Sequence, residues 1–294
     1  MAEQWFSSEK KHADVVMLGI PYDRTSSFGK GADKGPEAIL KCFPQLELYE
    51  RFTKTKPSID LKIAQVLLPG IAPLEPPEMV EEVSSQVSHY LQQRKFVLVL
   101  GGEHSIGTGI FDAWSKHAKP HDITIVQIDA HMDLRPDDSD YNEESPSKFA
   151  HSCVMRRAVE QGFPLVQVGI RAYADFELQA AHHHKVKIFE WPRKEDEHLL
   201  KSILESIHTK HVYISLDVDG IDPAHMPSTG TPVQGGLSWL FTLQLLSGLF
   251  SHKDVVGADI VEVIPRAQDQ LTEFGAAQLA YFMIAHKFQH HKKQ

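Results

Sequence analysis

Ile123-Thr124-Ile125-Val126-Gln127-Ile128-Asp129-Ala130-His131-Met132-Asp133 joins a short, β-branched apolar run to a cluster of metal-compatible side chains, and Val212-Tyr213-Ile214-Ser215-Leu216-Asp217-Val218-Asp219 does so again. Both apolar runs suit buried parallel strands, and in both the carboxylates follow at the C-terminal end. Residues two apart on an extended segment point the same way. Asp129, His131 and Asp133 therefore converge if extended geometry persists past the strand, and Asp217 and Asp219 converge from a second strand. Four carboxylates gathered in one place repel one another and require cations among them. Two divalent ions would cancel their formal charge.

A third segment fits the same plan. Lys95-Phe96-Val97-Leu98-Val99-Leu100 reads as another buried strand, and Gly101-Gly102-Glu103-His104-Ser105 follows it, its glycines allowing a tight turn and His104 offering a further nitrogen donor. Imidazole with a majority of aspartates suits manganese or a related borderline-hard ion, whereas a structural zinc site usually recruits cysteine. Only Cys42 and Cys153 occur, far apart. Taken alone, an Asp-x-Asp after a strand is a turn or a helix cap and a buried histidine is simply hydrogen-bonded; it is the recurrence at three strand ends that points to a metal centre.

Working outward, strand-like runs at 15–20, 96–100, 123–128, 165–170, 186–191, 212–216 and 255–263 span nearly the whole length without a linker. Met79, Val80, Val83, Val87, Tyr90 and Leu91 form one apolar helical face between two of them. Strands alternating with helices predict an α/β fold, one three-layer α/β/α domain around a mainly parallel sheet over residues 1–294. Ligands in such folds bind beyond the carboxyl ends of the strands, where the candidate ligands fall.

The formal net charge of −9 argues against broad nucleic-acid binding and favours a cationic substrate. The N-terminal residues lack a secretory apolar region, and no run approaches the ~18 residues of a membrane span, so a cytoplasmic protein is expected. His182-His183-His184 and the histidine-rich stretch 286–294 are not accompanied by carboxylates at strand ends and read as adventitious metal binders at most. Asp137-Asp138-Ser139-Asp140-Tyr141-Asn142-Glu143-Glu144 reads as a solvated loop, with a place at the pocket rim as the alternative.

Gly-Gly-Glu-His-Ser at 101–105, Asp-Ala-His-Met-Asp at 129–133 and Ser-Leu-Asp-Val-Asp-Gly-Ile-Asp-Pro at 215–223 resemble, in order, the three metal motifs of the ureohydrolase (arginase/agmatinase) family. Gly19-Ile20-Pro21-Tyr22-Asp23, Gly35-Pro36-Glu37-Ala38-Ile39, Ser228-Thr229-Gly230-Thr231-Pro232 and Ile260-Val261-Glu262-Val263 extend the likeness over most of the chain. The resemblance implies an arginase-like fold and two manganese ions per chain. His104, Asp129, Asp133 and Asp217 would hold one ion, and Asp129, His131, Asp217 and Asp219 the other. A hydroxide between them would attack a guanidinium carbon, expelling an amine and leaving urea.

The resemblance also implies catalytic roles for three residues. Asp133 would take up the nucleophile's proton, Glu262 would pair with the guanidinium, and His151, within Ser147-Lys148-Phe149-Ala150-His151-Ser152-Cys153-Val154-Met155-Arg156-Arg157, would relay protons. That last segment is similar to a branch of agmatinases, which implies a cationic guanidino substrate, agmatine, cleaved to urea and putrescine, and a homo-oligomer. Guanidinobutyrate, arginine and a catalytically silent metal-binding relative are the alternatives.

Overall fold

A computed structural model describes residues 5–6 and 12–289 of the chain. Its strands are β1 (Val15–Ile20), β2 (Ile63–Leu67), β3 (Phe96–Gly101), β4 (Ile123–Ile128), β5 (Leu165–Ile170), β6 (Lys187–Glu190), β7 (His211–Asp217) and β8 (Asp254–Val261). Helices α1 (Gly35–Cys42), α2 (Pro57–Asp60), α3 (Pro76–Gln92), α4 (Ile106–His117), α5 (Val154–Glu160), α6 (Asp175–His184), α7 (Glu197–Glu205), α8 (Trp239–His252) and α9 (Leu271–Phe288) lie between and after them. The strands form one eight-stranded sheet in the order β2-β1-β3-β8-β7-β4-β5-β6. Every pairing is parallel.

Strict alternation along the strands produces the three layers. Val15, Met17, Leu98, Leu100, Val126 and Ile128 face one side and pack with buried residues of α1, α7, α8 and α9. Val16, Leu18, Val97, Val99 and Ile125 face the other and pack with α3, α4, α5 and α6. Both faces are therefore dry, which is why β1, β3, β4 and β5 are buried at every position and read as predominantly apolar runs. Helix α3 starts where Pro76 and Pro77 supply the first turn and Glu75 and Glu78 form a reciprocal cap; Met79, Val83, Val87 and Tyr90 then give it a buried stripe.

One of the two edges escaped the sequence reading. β2, with Gln65 and Leu67 exposed, is covered less fully than the inner strands, so Ile63-Ala64-Gln65-Val66-Leu67 carries no continuous apolar signal. The predicted run at 186–191 shortens to β6, the other edge. Strand order reverses between β3 and β4, which lie on opposite sides of the β8–β7 pair. Such a reversal opens a crevice at the carboxyl ends of the strands. No helix among the described residues is long and apolar enough to cross a membrane.

Candidate metal centre

The crevice collects side chains from the ends of β3, β4, β7 and β8. Asp129 directly follows β4, Asp217 ends β7, His104 lies between β3 and α4, and Glu262 directly follows β8. Two groups of donor atoms lie within 4.8 Å of one another: His104, Asp129 and Asp217, and Asp129, His131 and Asp219, with Asp129 common to both. Asp133 joins the first, its Oδ2 2.9 Å from His104 Nδ1.

Convergence is achieved differently from simple strand alternation. His131 still bridges in parallel to Ala172, but the backbone then turns left-handed at Asp133, with φ of 52°. Asp219 lies in a 3₁₀ turn, Val218–Gly220, whose N–H at 219 donates to Asp217 Oδ1. That bond engages one Asp217 oxygen, while Asp217 Oδ2 is 3.5 Å from His104 Nδ1. Glu262 also adopts a left-handed conformation, φ 65°. Such backbone angles are costly for residues with side chains and persist where the surroundings impose them. Here Glu262 N–H donates to Gly102 O, and Glu262 Oε1 accepts from His104 N–H.

The donor set passes a chemical test for cations. His104 Nδ1 is buried 3.2 Å from Asp129, 2.9 Å from Asp133 and 3.5 Å from Asp217, yet makes no hydrogen bond with any of them. A buried ring nitrogen facing three carboxylates at this range is a ligand's arrangement. Burial and the charges of Asp219 and Asp129 push Asp217 well above the ordinary carboxylate range. Burial and Asp129 raise Asp133 to about 6. Burial raises Asp219 too, whereas in Asp129 the neighbouring His104 and His131 outweigh burial and lower the pKa. Four ionised carboxylates at this spacing need divalent charge among them.

Above the cluster, His151 opens the short 3₁₀ turn leading into α5, and its Nδ1 is 3.2 Å from Glu262 Oε1. Burial disfavours its charged form, but Glu262 outweighs this and raises its pKa. Glu103, which the motif reading had not singled out, completes a third close group with His151 and Glu262. Its carboxylate accepts from Thr25 and Ser105, and Thr25 Oγ1 in turn accepts the His151 N–H at 3.0 Å. Gln127 was missed as well. Its amide donates to Asp129 Oδ2 at 2.7 Å and is itself held by Gln167 across the β4–β5 pair. A glutamine inside an otherwise apolar buried strand is the signal that could have found Gln127, since it must have a polar partner.

The cluster forms the floor of a cavity of about 330 Å³, with Arg135, Tyr141, Tyr173 and Glu177 in its walls. Tyr141 comes from the acidic 137–144 segment, so the rim alternative describes that loop better than a wholly solvated one. Its hydroxyl lies 2.7 Å from Ser152 Oγ. The triple histidine ends α6 and lines no part of this cavity. His286 is packed on Phe282 and hydrogen-bonded to its carbonyl, while residues 290–294 lie outside the described region.

A parallel α/β sheet with a switch-point crevice, floored by imidazoles and carboxylates in this order, defines a class of hydrolase, and comparison with known proteins gives the class its name. The Arginase family model matches residues 13–285. The chain belongs to that family. It is a ureohydrolase, acting on amidino C–N bonds. A Synechocystis protein named N(1)-aminopropylagmatine ureohydrolase is 35% identical over 93% of this chain and 89% of its own length. A Thermus thermophilus protein of the same name is 38% identical over 94% and 91%. The solved agmatine ureohydrolase of Thermoplasma volcanium superimposes with a TM-score of 0.85 at 30% identity, covering 98% of this chain and 94% of that one.

Proposed function

We propose that residues 1–294 act as one catalytic domain that hydrolyses the guanidinium group of agmatine to urea and putrescine with two manganese ions. The observation that carries this reading is the pair of donor groups sharing Asp129 at the cavity floor, with His104 Nδ1 unbonded among carboxylates. His104, Asp129, Asp133 and Asp217 would hold one ion, and Asp129, His131, Asp217 and Asp219 the other. Bound there, the ions supply the Lewis acidity that makes water nucleophilic near neutral pH.

The chain's own groups supply the rest. Glu262 offers a planar carboxylate to the planar guanidinium, a pairing that fixes orientation as well as charge. Asp133, raised to about 6, is suited to take the proton that water releases and pass it on to the departing amine nitrogen. His151, its proton affinity increased by Glu262, is suited to relay protons between that nitrogen and the cavity mouth.

Substrate choice follows from the walls. Arg135, a cationic side chain in the cavity, is already paired with Asp140, which weakens its claim on a substrate carboxylate. A cationic tail without a carboxylate avoids the uncompensated desolvation that arginine or guanidinobutyrate would bring. A second reading, N1-aminopropylagmatine cleaved to urea and spermidine, is favoured by the names of the Synechocystis and Thermus relatives. Urea release by manganese-loaded enzyme from agmatine, N1-aminopropylagmatine, arginine and 4-guanidinobutyrate tests both. The higher kcat/KM among the two amines chooses between the readings, and preference for a carboxylated substrate overturns them.

A further inference from the structure

We infer that Asp259 of β8 is a positioning residue that sets the tautomer of His104 through the Ser215 hydroxyl, so that Nδ1 is kept bare for a metal ion. The inference rests on the two-ion reading above and adds to it a residue outside both donor groups. His104 follows β3, yet its ring reaches across β8 to β7, where Nε2 lies 2.9 Å from Ser215 Oγ. Ser215 Oγ donates to Asp259 Oδ1 at 3.0 Å. Ser215 and Asp259 are register partners on neighbouring parallel strands, so sheet pairing itself builds the link. His104 is 1% exposed and the other two not at all, so bulk solvent does not reach the link.

The direction of the chain follows from donor counting. An ionised carboxylate only accepts, so the serine spends its single hydrogen on Asp259 and can only accept from the ring. Nε2 must then carry the imidazole hydrogen. Nδ1 is left with its lone pair, and it is Nδ1 that lies among Asp129, Asp133 and Asp217. Were the serine free to donate to Nε2, the hydrogen would move to Nδ1, which would then bond to a carboxylate and exclude an ion.

A packing role alone accounts poorly for a carboxylate at this position. Asp259 interrupts the buried run Gly257-Ala258-Asp259-Ile260-Val261, and no ion pair with lysine or arginine is found for it among the described residues. Burying a carboxylate with no lysine or arginine beside it is expensive, and an aliphatic side chain would cost less. What the carboxylate adds is a hydrogen-bond direction, transmitted to a ligand. Partners of this kind characteristically tune affinity by 10–100-fold without touching the metal.

The test is calorimetric titration of chelator-stripped protein with Mn²⁺ for the wild type, Asp259→Asn, Ser215→Ala and the double variant, with circular dichroism checking that each folds. The wild type should take up two ions. Each single variant should bind one ion with its affinity lowered ~10–100-fold while the other keeps the wild-type value. The double variant should be no worse than either single one, because the relay acts as a unit. Wild-type affinities in Asp259→Asn and Ser215→Ala overturn the inference, as does additive weakening in the double variant. Ser215→Ala decides alone if Asp259→Asn does not fold. Fewer than two ions in the wild type itself would instead sink the two-ion reading, and this inference with it.

Discussion

Gly102→Ala tests the proposition that the metal centre depends on a backbone contact too close for any side chain. A Cβ built at Gly102 lies 1.9 Å from the Tyr22 carbonyl oxygen and 2.7 Å from its nitrogen. Since non-bonded heavy atoms settle near ~3.5 Å, the two segments must separate by more than about 1 Å. That movement strains Gly102 N–H to Ile20 O at 2.8 Å, Glu103 N–H to Tyr22 O at 2.9 Å and Glu262 N–H to Gly102 O at 2.9 Å. Each net bond is worth about 0.5–1.5 kcal/mol, and more where a buried partner is left unpaired. Alanine recovers about 0.4–1 kcal/mol by stiffening the unfolded chain, leaving a loss of roughly 0.5–4 kcal/mol. With an unfolding entropy of ~2.1 cal/mol/K per residue over the chain, this lowers Tm by roughly 1–7 °C. Scanning calorimetry of metal-free protein reads that shift, and Mn²⁺ titration should show weaker binding, because His104 and Glu262 are both displaced. An unchanged Tm with unchanged metal uptake would refute the reasoning.

Two further outcomes are expected. His151→Asn should lower kcat by ~10²–10⁴-fold while both ions stay bound, as measured by turnover alongside metal analysis; full activity across the pH range would make His151 a packing residue. Asp222 organises the loop over the second donor group: burial opposes its ionisation, but the N–H groups of Ala224, Gly236 and Gly235 and the charge of Arg171 hold its pKa below the ordinary range. Its stabilisation is therefore complete above the unfolded pKa of about 4 and fades as pH falls through the lower folded value. Asp222→Asn should flatten that part of the acid-side stability curve, and urea denaturation between pH 6 and pH 2 (an interval chosen to bracket the ordinary carboxylate range) would expose the idea if the two curves stay parallel.

Much of the fold was legible because its inner strands are dry on both faces. Val15–Ile20 reads as an unbroken apolar run and Ile123–Ile128 as one broken only by Thr124 and Gln127, and the groups at 104, 129–133 and 217–219 stand out because they follow such runs. What the sequence concealed depends on strand order. Ser215 and Asp259 are polar interruptions in apolar strands, but that they share a register, and that His104 arrives over them, follows only once β8 is known to lie between β3 and β7. The turn at Asp219 was hidden for another reason. Alternation predicts its direction correctly while misstating the backbone, because a 3₁₀ turn can deliver the same side chain to the same place. Edge strand β2 was invisible because partial exposure breaks the apolar run on which the reading relies.

The strand completed last in the chain is central to the sheet. Until Asp254–Val261 has been synthesised, β3 and β7 each present a bare edge, and the sheet exists as two halves, β2-β1-β3 and β7-β4-β5-β6. Glu103 and His104 belong to the first half, whereas Asp129, His131, Asp133, Asp217 and Asp219 belong to the second. Neither half holds the full donor set: Asp129, His131, Asp217 and Asp219, which would hold one ion, all lie in the second half, whereas the other ion also needs His104 from the first and so waits for the sheet to close. Nascent chains stalled before β8 carry two exposed edges open to mispairing, a vulnerable interval that ends when one strand inserts.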